Sequence, residues 1–169
     1  PSAPHLDFAG EIKKETKFPI FHASKINDVA TARHAIASGK LDMVGMTRAH
    51  IADPHIVKKI LEKREDNIRP CVGATYCLDR IYEGKETLCI HNPATGREKN
   101  MPHEITLKAE TIKKIVVVGA GPAGLEAARV CAERGHEVIV FEATNSAGGQ
   151  INLICRSNKR KDMIGIVDW

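Results

Sequence analysis

The chain has 169 residues, 43% apolar and 27% charged, the balance of a folded soluble protein and not of a disordered tail. Twenty-five Lys and Arg against 21 Asp and Glu leave a net charge of +4, with scattered cations and only 4% aromatic residues, which argues against nucleic acid as a partner. No apolar run reaches the ~18 to 20 residues that cross a bilayer, and the opening PSAPHLDFAG lacks the basic and apolar regions of a secretion signal, so a cytoplasmic protein without a membrane partner is expected.

DFAGEIKKET near the start reads as the end of a helix, and with no initiator Met the sequence reads as a segment of a longer polypeptide. FPIFHASKI, from Phe18 to Ile26, is a short apolar strand. Asn27 or Asp28 then caps a helix with an apolar face of Val29, Ala32 and Ile36, ended by Gly39. LDMVGM is a second buried strand. Asp53 and Pro54 give the next helix an N-cap and a proline at its first position, with Ile56, Val57, Ile60 and Leu61 as its stripe. Strand, helix, strand, helix with short loops describes two consecutive units of a parallel α/β architecture, too few to close a barrel alone.

Residues 67 to 112 lose periodicity and carry Cys71, Cys77 and Cys89 among several Pro and Gly, so something besides a large apolar core must order them. Five cysteines are an odd count, unevenly spaced, which disfavours a secreted disulfide framework. The spacing Cys71-x5-Cys77-x11-Cys89 suits thiolates converging on a metal or iron-sulfur site, with three buried free thiols as the plain alternative. Cys131 and Cys155 read as core or incidental residues. The histidines show no metal-ligand spacing, His50 and His55 read as surface residues, and Arg156 to Lys161 as a solvated loop.

From Ile115 regularity returns as strand, glycine turn, helix and second strand. Gly119, Gly121 and Gly124 form a G-x-G-x-x-G: the first permits the turn, the second lets backbone approach a pyrophosphate, the third lets helix and strand pack closely. Ala123 lies at the helix start, where free N–H groups face phosphate. Glu142, eighteen residues past Gly124, is placed to accept hydrogen bonds from a ribose diol and would repel a 2′-phosphate, which argues against NADP here. Gly148, Gly149 and Gln150 extend the pattern. The plain alternative is a glycine-containing turn of an ordinary α/β protein.

RPCVGATYCLDRIYEGKETLCIHNPATGRE, preceded by GMTRAHIADP and followed by VVVGAGPAGLEAARV, resembles the junction region of the trimethylamine dehydrogenase and 2,4-dienoyl-CoA reductase group of NADH:flavin oxidoreductases. The resemblance spans essentially the whole chain. It implies an α/β fold in three parts: residues 1–66 as the last βα units of an FMN-binding (β/α)8 barrel, 67–112 as a [4Fe-4S] loop and linker, and 113–169 as the start of a Rossmann-like domain for FAD or ADP. Ser24, Lys25, Gly45, Thr47 and Arg48 would then hold the FMN phosphate on the loops after strands seven and eight. Gly119, Gly121, Ala123, Gly124, Glu142, Gly149 and Gln150 would hold the adenine dinucleotide, and Cys71, Cys77 and Cys89 the cluster. The group has a further cysteine where this chain has Ala74, which leaves a cubane completed by another ligand such as His91, a three-iron cluster, or none. Gly-Arg of the group is Ser24-Lys25 here, a change that keeps the charge but not the bidentate geometry.

The resemblance implies FMN-centred oxidation or reduction of a small molecule with electrons passing to FAD or an external electron-transfer protein, NAD(P)H as a further cofactor, and admits a homo-oligomer. CVGATYC points toward N-methyl amine demethylases, with enoyl-thioester reduction as the alternative in the group. A zinc-containing NAD-linked oxidoreductase and a non-catalytic ADP-binding module are the alternatives outside it. The catalytic residues of the group lie on earlier barrel strands, so none is named.

Overall fold

The computed structural model describes residues 2–169. It divides into two compact units, the first ending at Cys71 and the second beginning at Val72, a boundary inside the aperiodic segment.

In the first unit, helix α1 (Leu6–Lys14) precedes strand β1 (Phe21–His22), helix α2 (Val29–Ala37), strand β2 (Met43–Val44) and helices α3 (Thr47–Ala52) and α4 (Ile56–Leu61). β1 and β2 run parallel, Phe21 opposite Met43 and His22 opposite Val44. Only two residues of each expected strand join the ladder. Beyond them the chain turns at Lys25, whose φ is +50°. Asp28 caps α2 as expected, accepting the Thr31 N–H and hydroxyl, and Gly39 at φ +71° ends it. The buried face is Ala35, with Ile36 exposed, because Ala35 packs into the cluster of Leu6, Ala9, Ile26 and Leu41.

Two further corrections concern the following helices. α3 was not foreseen, since its six residues TRAHIA show no long apolar stripe; it buries Ala49 and Ala52. α4 begins at Ile56 with His55 at its N-cap, so Asp53 is not the cap residue of the regular helix. Ile56 and Lys59 are its buried residues, whereas Val57 and Leu61 are exposed. Asp53 explains the inversion: its carboxylate draws the Lys59 ammonium inward to 2.6 Å, accepts the N–H of His55 at 2.9 Å and of Arg69 at 2.9 Å, and Lys59 also donates to the Asn67 carbonyl at 2.7 Å. Burial pushes the Asp53 carboxyl up, but Lys59 and the two N–H donors more than offset it, and it lies below the ordinary aspartate range.

In the second unit, the segment read as aperiodic contains a seven-residue helix, α5 (Tyr76–Tyr82), entered through Thr75 at φ +65°. Leu88, His91, Asn92, Ala94 and Thr95 downstream are buried, so the segment has local packing of its own. Strand β3 (Lys114–Val118), helix α6 (Pro122–Glu133) and strand β4 (Glu137–Phe141) follow the expected order. β3 and β4 pair in parallel over five positions, from Lys114 with Glu137 to Val118 with Phe141. Gly135 at φ +95° closes the helix. Helices α7 (Gln150–Ile154) and α8 (Gly165–Asp168) complete the unit. Val72, Ile151 and Met163 form its buried cluster, joined by Ala74 and Cys155. Among the described residues no helix is long and apolar enough to cross a membrane.

Candidate functional site

The first unit brings the five residues expected at the FMN phosphate to one recess of about 170 Å³ at the C-terminal ends of β1 and β2. Ser24, Lys25, Gly45, Thr47 and Arg48 line it with Ala23, Ile26 and Asn27. Gly45 acts by its size. Its N–H is engaged with the His22 carbonyl at 2.9 Å, and an added Cβ would lie 2.6 Å from that of Ala23. Thr47 and Arg48, expected in a loop, form the first turn of α3, where helix geometry leaves N–H groups without intrahelical partners. Two cations, two hydroxyls and these N–H groups suit a phosphate.

The second unit carries the glycine turn between β3 and α6. Gly119 has φ +96° and donates to the Phe141 carbonyl, continuing the sheet into the turn. An added Cβ at Gly121 meets nothing within 4 Å, so the front of the turn stands open; one at Gly124 would fall 1.9 Å from the Gly119 carbonyl oxygen. Gly149, at φ +51°, approaches within 3.3 Å of the Gly121 Cα measured from a built Cβ. Ala123 and Gln150 are exposed at the starts of α6 and α7. This open, donor-rich front fits the diphosphate of a dinucleotide.

Glu142 follows β4, as expected for a ribose contact, but its carboxylate has protein partners the sequence reading missed. Oε2 accepts the Ala120 N–H at 2.8 Å, and Oε1 accepts the N–H and hydroxyl of Thr144, each at 2.9 Å. The Thr144 and Ala120 N–H groups hold its carboxyl below the ordinary glutamate range.

None of the five cysteines is in a disulfide, and each is partly buried. Among the described residues no three of His, Cys, Asp or Glu are grouped so as to hold a metal ion. Ala74 packs against the apolar cluster of the second unit, and its carbonyl accepts the Thr75 hydroxyl and Arg160. Ala74 offers no ligand atom where the group that the sequence resembles has a cysteine, and the group's four-cysteine set is not present in this chain segment. His91 is buried, its ring edge-on to Trp169 at 5.3 Å between centroids. Both line a cavity of about 500 Å³ beside α6, together with Glu126 and Arg129. Arg129 stacks over Trp169; burial works against its charge, and Glu126 and Glu133 offset that. This cavity had no sequence signal, because its lining comes from three separated segments.

A model of the NAD(P)-binding Rossmann-like domain matches residues 117–163. A probable N-methylproline demethylase of Rhizobium meliloti is 70% identical over 99% of this chain, which covers 25% of that protein. A multifunctional alkene reductase/demethylase of Caballeronia cordobensis is 56% identical over 100% of this chain and 24% of that protein. A solved structure of 2-naphthoyl-CoA reductase with 2-naphthoyl-CoA superposes with a TM-score of 0.90 at 34% identity, over 99% of this chain and 26% of that one. The chain spans about a quarter of the length of the relatives it matches. Along nearly its whole length the chain is therefore similar to one stretch of enzymes named as N-methyl amine demethylases and dehydrogenases and as reductases.

Proposed function

We propose that the chain is the central part of a flavin oxidoreductase that oxidises the N-methyl group of a small secondary or tertiary amine. The convergence of Ser24, Lys25, Gly45, Thr47 and Arg48 on one recess carries the flavin part of this reading, and the relative named as an N-methylproline demethylase supports the substrate class. Residues 1–66 are the last barrel units, 67–112 the cysteine segment and linker, and 113–169 the start of the dinucleotide domain.

FMN bound at the recess would supply two-electron redox chemistry at a carbon next to nitrogen. Lys25 and Arg48 balance the charge of its phosphate, Ser24 and Thr47 donate hydroxyl hydrogen bonds, and Gly45 keeps the ends of β1 and β2 close enough to form the floor. In the second unit the N–H groups at the start of α6 meet the diphosphate of FAD or ADP, Gly124 allows helix and strand to touch, and Glu142 receives a ribose hydroxyl. Gly149 and Gln150 border the same turn. Cys71, Cys77 and Cys89 are the thiol donors available to an iron-sulfur cluster, whose fourth ligand would come from a residue other than Ala74. NAD(P)H, an electron-transfer protein and a homo-oligomer belong to the whole protein's activity.

The test is made on the full-length protein. FMN and a second adenine-containing nucleotide should be released by denaturation, and N-methylproline should reduce the bound flavin anaerobically with formaldehyde as product after hydrolysis. Flavin reduction by NADH with turnover of an enoyl thioester, and none by N-methylated amines, would favour the reductase alternative. A colourless protein would refute the reading altogether.

A further inference from the structure

The backbone of Ala120, at the centre of the glycine turn, is held through its N–H and its carbonyl by the loop that follows β4. Ala120 is 4% exposed, so its polar groups have little recourse to water. Its N–H donates to Glu142 Oε2 at 2.8 Å, and its carbonyl accepts the Gly148 N–H at 2.7 Å. Thr144 meanwhile holds Glu142 Oε1 with two hydrogen bonds. A carboxylate serving a ribose alone would not need this engagement.

We propose that Glu142 is a positioning residue for the diphosphate turn, latching the Ala120 peptide so that the N–H groups at the start of α6 are aligned before a ligand arrives. The inference rests on the dinucleotide reading of this site and extends it from ribose to phosphate. Of the hydrogen bonds to Glu142, Oε1 takes two and Oε2 one, and the Ala143 N–H also faces the carboxylate. Glutamine can replace the acceptor facing Ala120, but its amide N–H groups would meet the Thr144 N–H, donor against donor, and it carries no charge.

The experiment compares Glu142→Ala and Glu142→Gln in the full-length protein, freed of dissociable nucleotide. Hydrogen exchange resolved to the Ala120 amide is expected to accelerate about tenfold or more in Glu142→Ala, the range given by losing a hydrogen bond to a charged group, and about threefold or less in Glu142→Gln. Inorganic pyrophosphate, which has no ribose, is expected to bind about tenfold more weakly to Glu142→Ala but nearly as in wild type to Glu142→Gln, whereas ADP weakens in both. Unchanged Ala120 exchange in Glu142→Ala would overturn the latch, as would loss of ADP binding with pyrophosphate binding intact, which marks a residue serving ribose only. Wild-type protein that binds neither ligand, with Ala120 exchange still raised in Glu142→Ala, would overturn the dinucleotide reading and with it the role in phosphate binding, leaving the hydrogen bond as a structural one.

Discussion

Replacing Asp53 with alanine should destabilise the first unit more than almost any other single change there. The carboxylate is 3% exposed and the Lys59 side chain 10%, so the mutation leaves an ammonium in a nearly dry site with the Asn67 carbonyl as its remaining partner there. It also removes the acceptor for the His55 and Arg69 N–H groups. Breaking one side of a buried pair costs about 3–5 kcal/mol, much of it the uncompensated charge. Asp53→Ala with Lys59→Met should therefore be more stable than Asp53→Ala alone, by about 2 kcal/mol, because the stranded charge has gone. Urea midpoints of the full-length protein, followed by a probe in the first unit, measure the difference. A double variant as unstable as the single one would show that the His55 and Arg69 N–H donors left without Asp53 matter and the ion pair does not. The pair also sets a pH dependence. Asp53 titrates lower folded than its ordinary value of 3.8, so its stabilisation is fully present above that value and is lost as pH falls through the lower folded one. Asp53→Ala should flatten the acid limb of the stability profile.

Three further outcomes are expected. Gly124→Ala drives a methyl to 1.9 Å from the Gly119 carbonyl oxygen, which separates α6 from β3; adenine nucleotide content should fall with the FMN content unchanged, and equal retention of both would contradict this. Lys25→Gly relieves a residue held at φ +50° and removes a cation from the recess, so the apoprotein should melt higher, by up to about 1 kcal/mol in stability, while FMN dissociates faster; tighter FMN retention would remove Lys25 from the phosphate site. Ala74→Cys supplies the missing thiol, and iron and sulfide per chain should rise over wild type on anaerobic reconstitution; equal values would mean that position 74 does not face a cluster.

The elements with long, regular patterns were legible from residues alone. VVVGAGPAGLEAARV reads as strand, turn and helix because glycine spacing, a β-branched run and an Ala-Leu helix agree, and the structure forms β3, the turn and α6 there. The recess residues were legible only through the resemblance, since Ser24 and Thr47 carry no local signal and are joined by the parallel pairing of β1 with β2. What escaped was set by tertiary contacts. Lys59 falls outside the apparent apolar stripe of Ile56, Val57, Ile60 and Leu61 yet is buried, because Asp53, six residues away, supplies a partner that periodicity does not count. Glu142 directly follows the second strand, as the pattern indicates, but its grip on Ala120 spans 22 positions and exists only once β3 and β4 pair.

Backbone strain separates the residues that shape sites from those that only end helices. Four described residues other than glycine have positive φ: Ala3, Lys25, Lys63 and Thr75. Lys63 follows α4, whose last turn is closed by the Arg64 N–H on the Lys59 carbonyl, a helix ending in which a left-handed residue is ordinary. Lys25 and Thr75 end no helix. Lys25 lies in the recess, with its carbonyl accepting the Ala3 N–H, and Thr75 stands between Ala74 and Cys77 at the entry to α5, its hydroxyl on the Ala74 carbonyl. Glycine would adopt either conformation at lower cost, so a side chain retained there needs a reason in contacts. For Lys25 the proposed phosphate contact at the recess supplies that reason. For Thr75 it is a hydroxyl bonded to the preceding carbonyl, which fixes the turn from which Cys77 enters its helix.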